Sequence, residues 1–249
     1  MFLTQKSKSI AMCPIFIVFA YCAVQCASQI KNCEQQFSEA NSDENIIMFV
    51  DETGSMISHR QELIETYNNF LKTQSKSNPN RKFTVIFFNT QFSIHEYTKI
   101  SKAPLLTDNI WDEGMTVYNP GYNSHIYNTL GCALHGYHGV KSGDCNAKTR
   151  VVLFSNGQNL NENEDIYDQN EVKDIISGLR GNCSWKFNFV GMIQDSYEEN
   201  KLRSWAEDIG FTAEEISVTV SEDVGLTRKR RSGAIQRVFL EVEEALKRK

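Results

Sequence analysis

Two spacings of apolar residues alternate along the chain from residue 45 to residue 246. Short unbroken apolar runs are typical of strands buried on both faces of a sheet, and they occur at 45–50, 82–88, 150–154, 185–193 and 216–220, with a shorter run at 93–97 that is predicted to pair at an edge. Apolar residues between these runs recur at intervals of three and four, which predicts helices over 58–73, 126–137, 172–179, 202–209 and 235–246. This alternation predicts crossover units, and therefore a doubly wound α/β domain with a mostly parallel central sheet and helices on both faces.

The first 28 residues show a different pattern. Lys6 and Lys8 precede an apolar run of 15 residues from Ile10 to Val24, and small residues follow around positions 26–28. A membrane-spanning helix needs roughly 20 residues, so this pattern indicates a cleaved secretory signal peptide rather than an anchor. The predicted organisation is a signal peptide at 1–28, an N-terminal segment at 29–44 and one domain at 45–249. The mature protein is therefore expected to be secreted, with no membrane span.

Charge and cysteine content narrow the possible functions. Removal of residues 1–28 takes away two lysines and no acid, which moves the formal net charge from −5 to −7 and gives no general affinity for nucleic acid. Four cysteines remain, and they allow three disulfide pairings in an oxidising compartment. We favour Cys132 with Cys145, and Cys33 with Cys183, because the predicted elements bring each pair to the same part of the fold. No cysteine or histidine spacing typical of zinc is present.

Oxygen-bearing side chains are concentrated just after the predicted strands, where doubly wound domains bind ligands. They are Asp51, Thr53 and Ser55 after the first strand, Asn123 and Ser124 before the predicted helix at 126–137, and Ser155 and Asn156 after the strand at 150–154. A small dication such as Mg²⁺ is held by about six oxygens of this kind. The alternative is that the first three side chains cap the helix that follows them.

The motifs at these positions resemble those of von Willebrand factor type A (VWA) domains. The segment 51–56, Asp-Glu-Thr-Gly-Ser-Met, is similar to the Asp-x-Ser-Gly-Ser-Met signature that opens the metal-ion-dependent adhesion site of that family. The segments 124–131, 151–157 and 185–191 resemble the later motifs of the family in the same order. The resemblance implies a site for Mg²⁺ or Mn²⁺ whose metal ligands are Asp51, Thr53, Ser55, Ser124 and Asn156. Asn156 stands where the family has an aspartate, which removes one formal negative charge.

The resemblance also implies a function. In VWA domains the open coordination position of the metal receives an acidic side chain from a partner protein, so we expect an adhesion or recognition protein that binds a protein or an extracellular-matrix ligand and is not an enzyme. One alternative is a degenerate VWA domain that has lost its metal and binds through loops alone. Another is an aspartyl-phosphate phosphotransferase of the haloacid-dehalogenase type, with Asp51 as nucleophile. The second acid pair that this chemistry requires is missing, because the nearest candidate, Asp144, precedes a strand instead of following one.

A basic run at 228–231, Arg-Lys-Arg-Arg, precedes the last predicted helix. In a secreted protein such a run can be cut by processing proteases. The alternative, which we favour, is a solvated lead-in to the helix.

Overall fold

A computed structural model describes residues 44–109, 114–121, 123–140, 148–157, 166–183 and 185–220. Its strands are β1 (Glu44–Asp51), β2 (Lys82–Phe88), β3 (Phe92–Tyr97), β4 (Leu106–Thr107), β5 (Thr116–Val117), β6 (Lys148–Ser155), β7 (Lys186–Ile193) and β8 (Ile216–Val220). Its α-helices are α1 (Arg60–Ser77), α2 (Ile126–Val140), α3 (Gln169–Cys183) and α4 (Glu199–Asp208). Short 3-10 helices span 54–59, 100–102, 196–198 and 213–215.

Six strands form the central sheet in the order β3-β2-β1-β6-β7-β8. All neighbours pair in parallel except β2 and β3, which are antiparallel. The chain builds outward from β1 to β3 and then returns to the other side of β1 with β6. The strand order therefore reverses between β1 and β6, and a crevice opens at their carboxyl ends, where ligands bind in folds of this class.

Helices cover both faces of the sheet, and each face has its own apolar core. On one face α1 packs against the even-numbered residues of β1, such as Met48 and Val50. On the other face α2, α3 and α4 pack against the odd-numbered residues, such as Ile47 and Phe49. Seven of the eight residues of β1 are buried, which explains why its sequence is apolar without alternation.

The predicted fold class is confirmed, as is every predicted strand and helix within the described residues. Two features differ from the expectation. The stretch 104–121, where the apolar pattern predicts no strand or helix, contains a second, two-stranded sheet of β4 and β5. The first helix begins at Arg60 after a turn of 3-10 helix. No helix among the described residues is long and apolar enough to cross a membrane.

Several predictions fall outside the described residues. They concern the signal peptide, the N-terminal segment, the basic run at 228–231 and the terminal helix at 235–246. Cys132 and Cys183 are both disulfide-bonded, but Cys145 and Cys33 lie outside the described part of the chain, so the pairing stays a prediction.

Candidate metal site at the carboxyl ends of β1 and β6

Asp51 is the last residue of β1, and its side chain is completely buried. The Thr53 N–H donates to Oδ1 at 2.8 Å, and the Ser155 hydroxyl donates to Oδ2 at 2.6 Å. Burial raises the pKa of Asp51 to about 6, although the hydrogen bonds from Ser155 and Thr53 act in the opposite direction. The structure thus holds one carboxylate, at high desolvation cost, at the switch point of the sheet.

Thr53 and Ser55 place their hydroxyl oxygens 2.9 Å apart. A hydroxyl–hydroxyl hydrogen bond has this length, and so does the edge of an octahedron of oxygens about a small dication, which is about 2.9 Å for metal–oxygen distances near 2.05 Å. Thr53 occupies the N-cap of the 3-10 helix, yet its side chain makes no capping hydrogen bond. Helix capping therefore does not account for the Thr53 hydroxyl, which is hydrogen-bonded to the Ser55 hydroxyl and to the Asp51 carboxylate.

Ser124 lies just before α2, and it is 1% exposed. Its hydroxyl oxygen is buried and has no hydrogen-bond partner among the described residues. A buried hydroxyl without a partner costs roughly 1–3 kcal/mol, so a group that completes its coordination would relieve this cost. Ser124 is the residue that the VWA resemblance assigns to the second metal loop.

Asn156 follows β6 and is half-buried. The preceding residue, Ser155, also accepts a hydrogen bond from the Gly157 N–H at 2.9 Å, which closes the turn. Gly157 has a φ of 72°, and a Cβ there would meet a Leu202 methyl at 2.4 Å, so only glycine fits. The turn after β6 is thereby fixed beside the end of β1.

The segment from Tyr118 to Gly121 holds the loop at 51–55 in place through hydrogen bonds. The Tyr118 hydroxyl donates to the main-chain oxygen of Asp51 at 2.6 Å, and the Gly121 N–H donates to the main-chain oxygen of Glu52 at 2.8 Å. The Asn119 N–H donates to the Glu52 carboxylate. Burial first, and the charge of Asp51 second, raise the pKa of Glu52 to about 7.

Sequence reasoning missed this strap and the contact between Ser155 and Asp51. Ser155 was recognised as a strand-end oxygen but was not included in the predicted ligand set. The contact of Tyr118 with Asp51 could not be predicted from the sequence, because a single aromatic residue between predicted helices and strands is not distinctive. Of the predicted ligands, the contacts reported above join Asp51 with Thr53 and Thr53 with Ser55, while Ser124 and Asn156 stand on the two neighbouring loops.

The described residues contain no group of three or more His, Cys, Asp or Glu side chains positioned to hold a metal. Any metal at this place depends on hydroxyl and amide oxygens beside one or two carboxylates.

Comparison with known proteins agrees with the fold. No protein-family model and no curated protein matches the chain. Among solved structures, it is similar to proximal thread matrix protein 1 of the mussel byssus, with a TM-score of 0.52 and 15% identity over 82% of this chain and 48% of that one. It is also similar to the pilus adhesin SpaC of Lactobacillus rhamnosus GG, with a TM-score of 0.53 and 13% identity over 84% of this chain and 30% of that one.

The VWA domain of SpRpn10 aligns with 80% of this chain at 10% identity, and the TM-score of 0.45 does not establish a common fold. The chain spans about half of the byssus protein and less than a third of the adhesin. These likenesses concern the fold. The fold that the resemblance implies is confirmed at that level, since the chain has a mostly parallel central sheet with helices on both faces.

Proposed function

We propose that this protein is a secreted recognition module that binds a partner macromolecule through a divalent cation, Mg²⁺ or Mn²⁺, held at the carboxyl ends of β1 and β6. The observation that carries the proposal is the buried hydroxyl of Ser124, which has no hydrogen-bond partner in the part of the chain that the structure describes. The motif resemblance assigns three loops to the metal. Ser124 lies on the second of them, after the loop at 51–55.

The residues present fit a small, hard cation. Thr53, Ser55 and Ser124 would supply hydroxyl oxygens, Asp51 a carboxylate and Asn156 an amide oxygen, all of which are ligand types that Mg²⁺ accepts. When bound, the cation supplies a positive centre that can take one further oxygen from outside the protein.

The partner follows from the same chemistry. A cation with an open position binds a carboxylate more strongly than a neutral oxygen, so we propose that the partner is a protein or matrix component that presents an acidic side chain. The adhesin and the byssus matrix protein with similar folds support an interaction role and an extracellular setting, but they share only the fold with this chain.

Thermal unfolding of the purified protein in EDTA, and in rising Mg²⁺ or Mn²⁺, tests the metal site. A metal present at 100 times its Kd adds about 2.7 kcal/mol of stability, because it binds the native state alone. At about 2–4 °C per kcal/mol for a domain of this size, the melting temperature should rise by roughly 5–10 °C.

Ser124→Ala separates metal binding from packing. In EDTA the variant should be as stable as the wild type or slightly more stable, because the hydroxyl has no partner to lose. Its metal response should be much weaker. Ser101→Ala is the control for a serine away from the site, because Ser101 is exposed, donates to the Pro79 main-chain oxygen and lies on the 3-10 helix that is bonded to Arg81 beside the amino end of β2. An equal metal response in wild type and Ser124→Ala would contradict the proposed site, and no response in the wild type would favour recognition without metal.

A further inference from the structure

We propose that Glu52 supplies the second negative charge of the metal site, in place of the aspartate that Asn156 replaces. This inference rests on the proposed function, because it assigns a residue to the same cation. It concerns the strength of metal binding, and it follows from the position of Glu52 in the strapped loop.

The charge count shows why a second anion is needed. Among the five predicted ligands only Asp51 carries a formal charge, whereas Thr53, Ser55, Ser124 and Asn156 are neutral. A dication held by one carboxylate keeps one uncompensated positive charge close to buried groups. In a site of low dielectric constant, such a charge is much more costly than in water.

Two main-chain hydrogen bonds hold Glu52 in place, one through its N–H and one through its main-chain oxygen. Its N–H donates to the Phe88 oxygen at the end of β2 at 2.7 Å, and its own oxygen accepts the Gly121 N–H at 2.8 Å. It is also flanked directly by Asp51 and Thr53. The residue therefore cannot move away from the metal loop without breaking hydrogen bonds to two other segments.

The side chain is held as well. The Glu52 carboxylate accepts a hydrogen bond from the Asn119 N–H, and the residue is half-buried. A fully solvated glutamate at this position would be screened by water and salt, but a half-buried carboxylate is screened much less. Its charge consequently acts on a cation held by the neighbouring residues, without a need for direct coordination.

Two other carboxylates that lie after strands of the central sheet are used elsewhere. Asp195, after β7, accepts the Tyr197 N–H and caps the 3-10 helix at 196–198. Asp168, before α3, accepts the Glu171 N–H, and Glu171 in turn accepts the Asp168 N–H in a reciprocal capping pair. Glu52, by contrast, lies within the loop at 51–55 beside Asp51.

A four-variant cycle tests this assignment. The Kd for Mn²⁺ is measured by electron paramagnetic resonance of the free ion, for wild type, Glu52→Gln, Asn156→Asp and the double variant. Glutamine keeps the shape and the acceptor for the Asn119 N–H, so only the charge is removed. Glu65→Gln is the control, because Glu65 is an exposed residue of α1 and its substitution changes the net charge equally.

We expect Glu52→Gln to weaken Mn²⁺ binding by about tenfold, because one charge on the same loop as a dication is worth on the order of 1.4 kcal/mol even when largely screened. Asn156→Asp should tighten binding by a similar factor. The double variant should return close to wild type, and Glu65→Gln should leave the Kd unchanged.

Three other outcomes would contradict the role of Glu52 or the metal site itself. If wild type binds Mn²⁺ and Glu52→Gln binds it as tightly as Glu65→Gln does, the inference about Glu52 is wrong while the metal site stands. If Mn²⁺ binds only to the variants that carry Asn156→Asp, Glu52 does not replace the missing charge. If no variant binds Mn²⁺, the proposed function itself fails. Melting temperatures in EDTA report folding, so each Kd is measured at a temperature at which the variant is folded.

Discussion

Asp51→Asn should make the metal-free protein more stable at neutral pH. Burial raises the pKa of Asp51 from 3.8 to about 6. Between these two values the folded state holds a proton that the unfolded state has released, so the contribution of Asp51 to stability falls as the pH rises through this window. The rise in the pKa of Asp51 from 3.8 to about 6 corresponds to about 3 kcal/mol of stability that is lost above pH 6. The carboxylate is therefore a liability in the absence of a cation.

Asparagine removes this cost but alters one hydrogen bond. Its oxygen can accept the Thr53 N–H as Oδ1 does now, whereas its amide group must face the Ser155 hydroxyl, which donates to Oδ2 in the structure. The hydroxyl would have to accept instead, and we allow about 1 kcal/mol for the rearrangement. The expected net gain is about 1–2 kcal/mol at pH 7.5, with no gain, or a slight loss, at pH 4.

Urea unfolding in EDTA, followed by tryptophan fluorescence at pH 4 and pH 7.5, measures the difference between the two proteins. The difference reports Asp51 together with the part of the Glu52 pKa shift that the Asp51 charge causes, because groups remote from Asp51 act equally in both proteins. Added Mg²⁺ should reverse the order at pH 7.5, by stabilising wild type alone. The reasoning is refuted if Asp51→Asn is the less stable protein in EDTA at pH 7.5, or if the difference does not depend on pH.

Three further substitutions test packing around the site. Gly131→Ala places a Cβ 2.2 Å from the Tyr167 ring, so it should lower stability by about 1–3 kcal/mol in thermal or urea unfolding. Gly178→Ala on α3 is the control, because nothing lies within 4 Å of the new Cβ, and it should raise stability by up to about 1 kcal/mol. Equal effects of the two substitutions on stability would contradict the close contact between Gly131 and Tyr167. Tyr118→Phe removes a buried hydrogen bond to the Asp51 main chain, and should cost about 1–2 kcal/mol in urea unfolding. An unchanged midpoint for Tyr118→Phe would show that the strap does not stabilise the loop.

The parts of the fold that depend on local pattern were predictable from the sequence. Strand β1 is buried on both faces and reads as an unbroken apolar run, while α1 buries one face and reads with helical spacing. The antiparallel pairing of β3 is also implied by the chain, since the three residues between β2 and β3 are too few for a parallel crossover. The short pair β4 and β5 was missed, because two-residue strands have no period to detect.

The candidate site divides in the same way. The sequence alone determined the fold class and the loop at 51–55 with its hydroxyl and carboxylate oxygens. It also determined the strand ends that lie near this loop. Periodicity and motif spacing are properties of neighbouring residues, so both can be read from the sequence. Only the tertiary structure decided that Ser155 binds Asp51 across 104 positions, that Tyr118 straps the loop, and that the Ser124 hydroxyl is buried without a partner. These contacts join residues far apart in the chain. They follow from the order of strands in the sheet and from how closely the loops pack, and neither quantity is encoded in any short stretch of sequence.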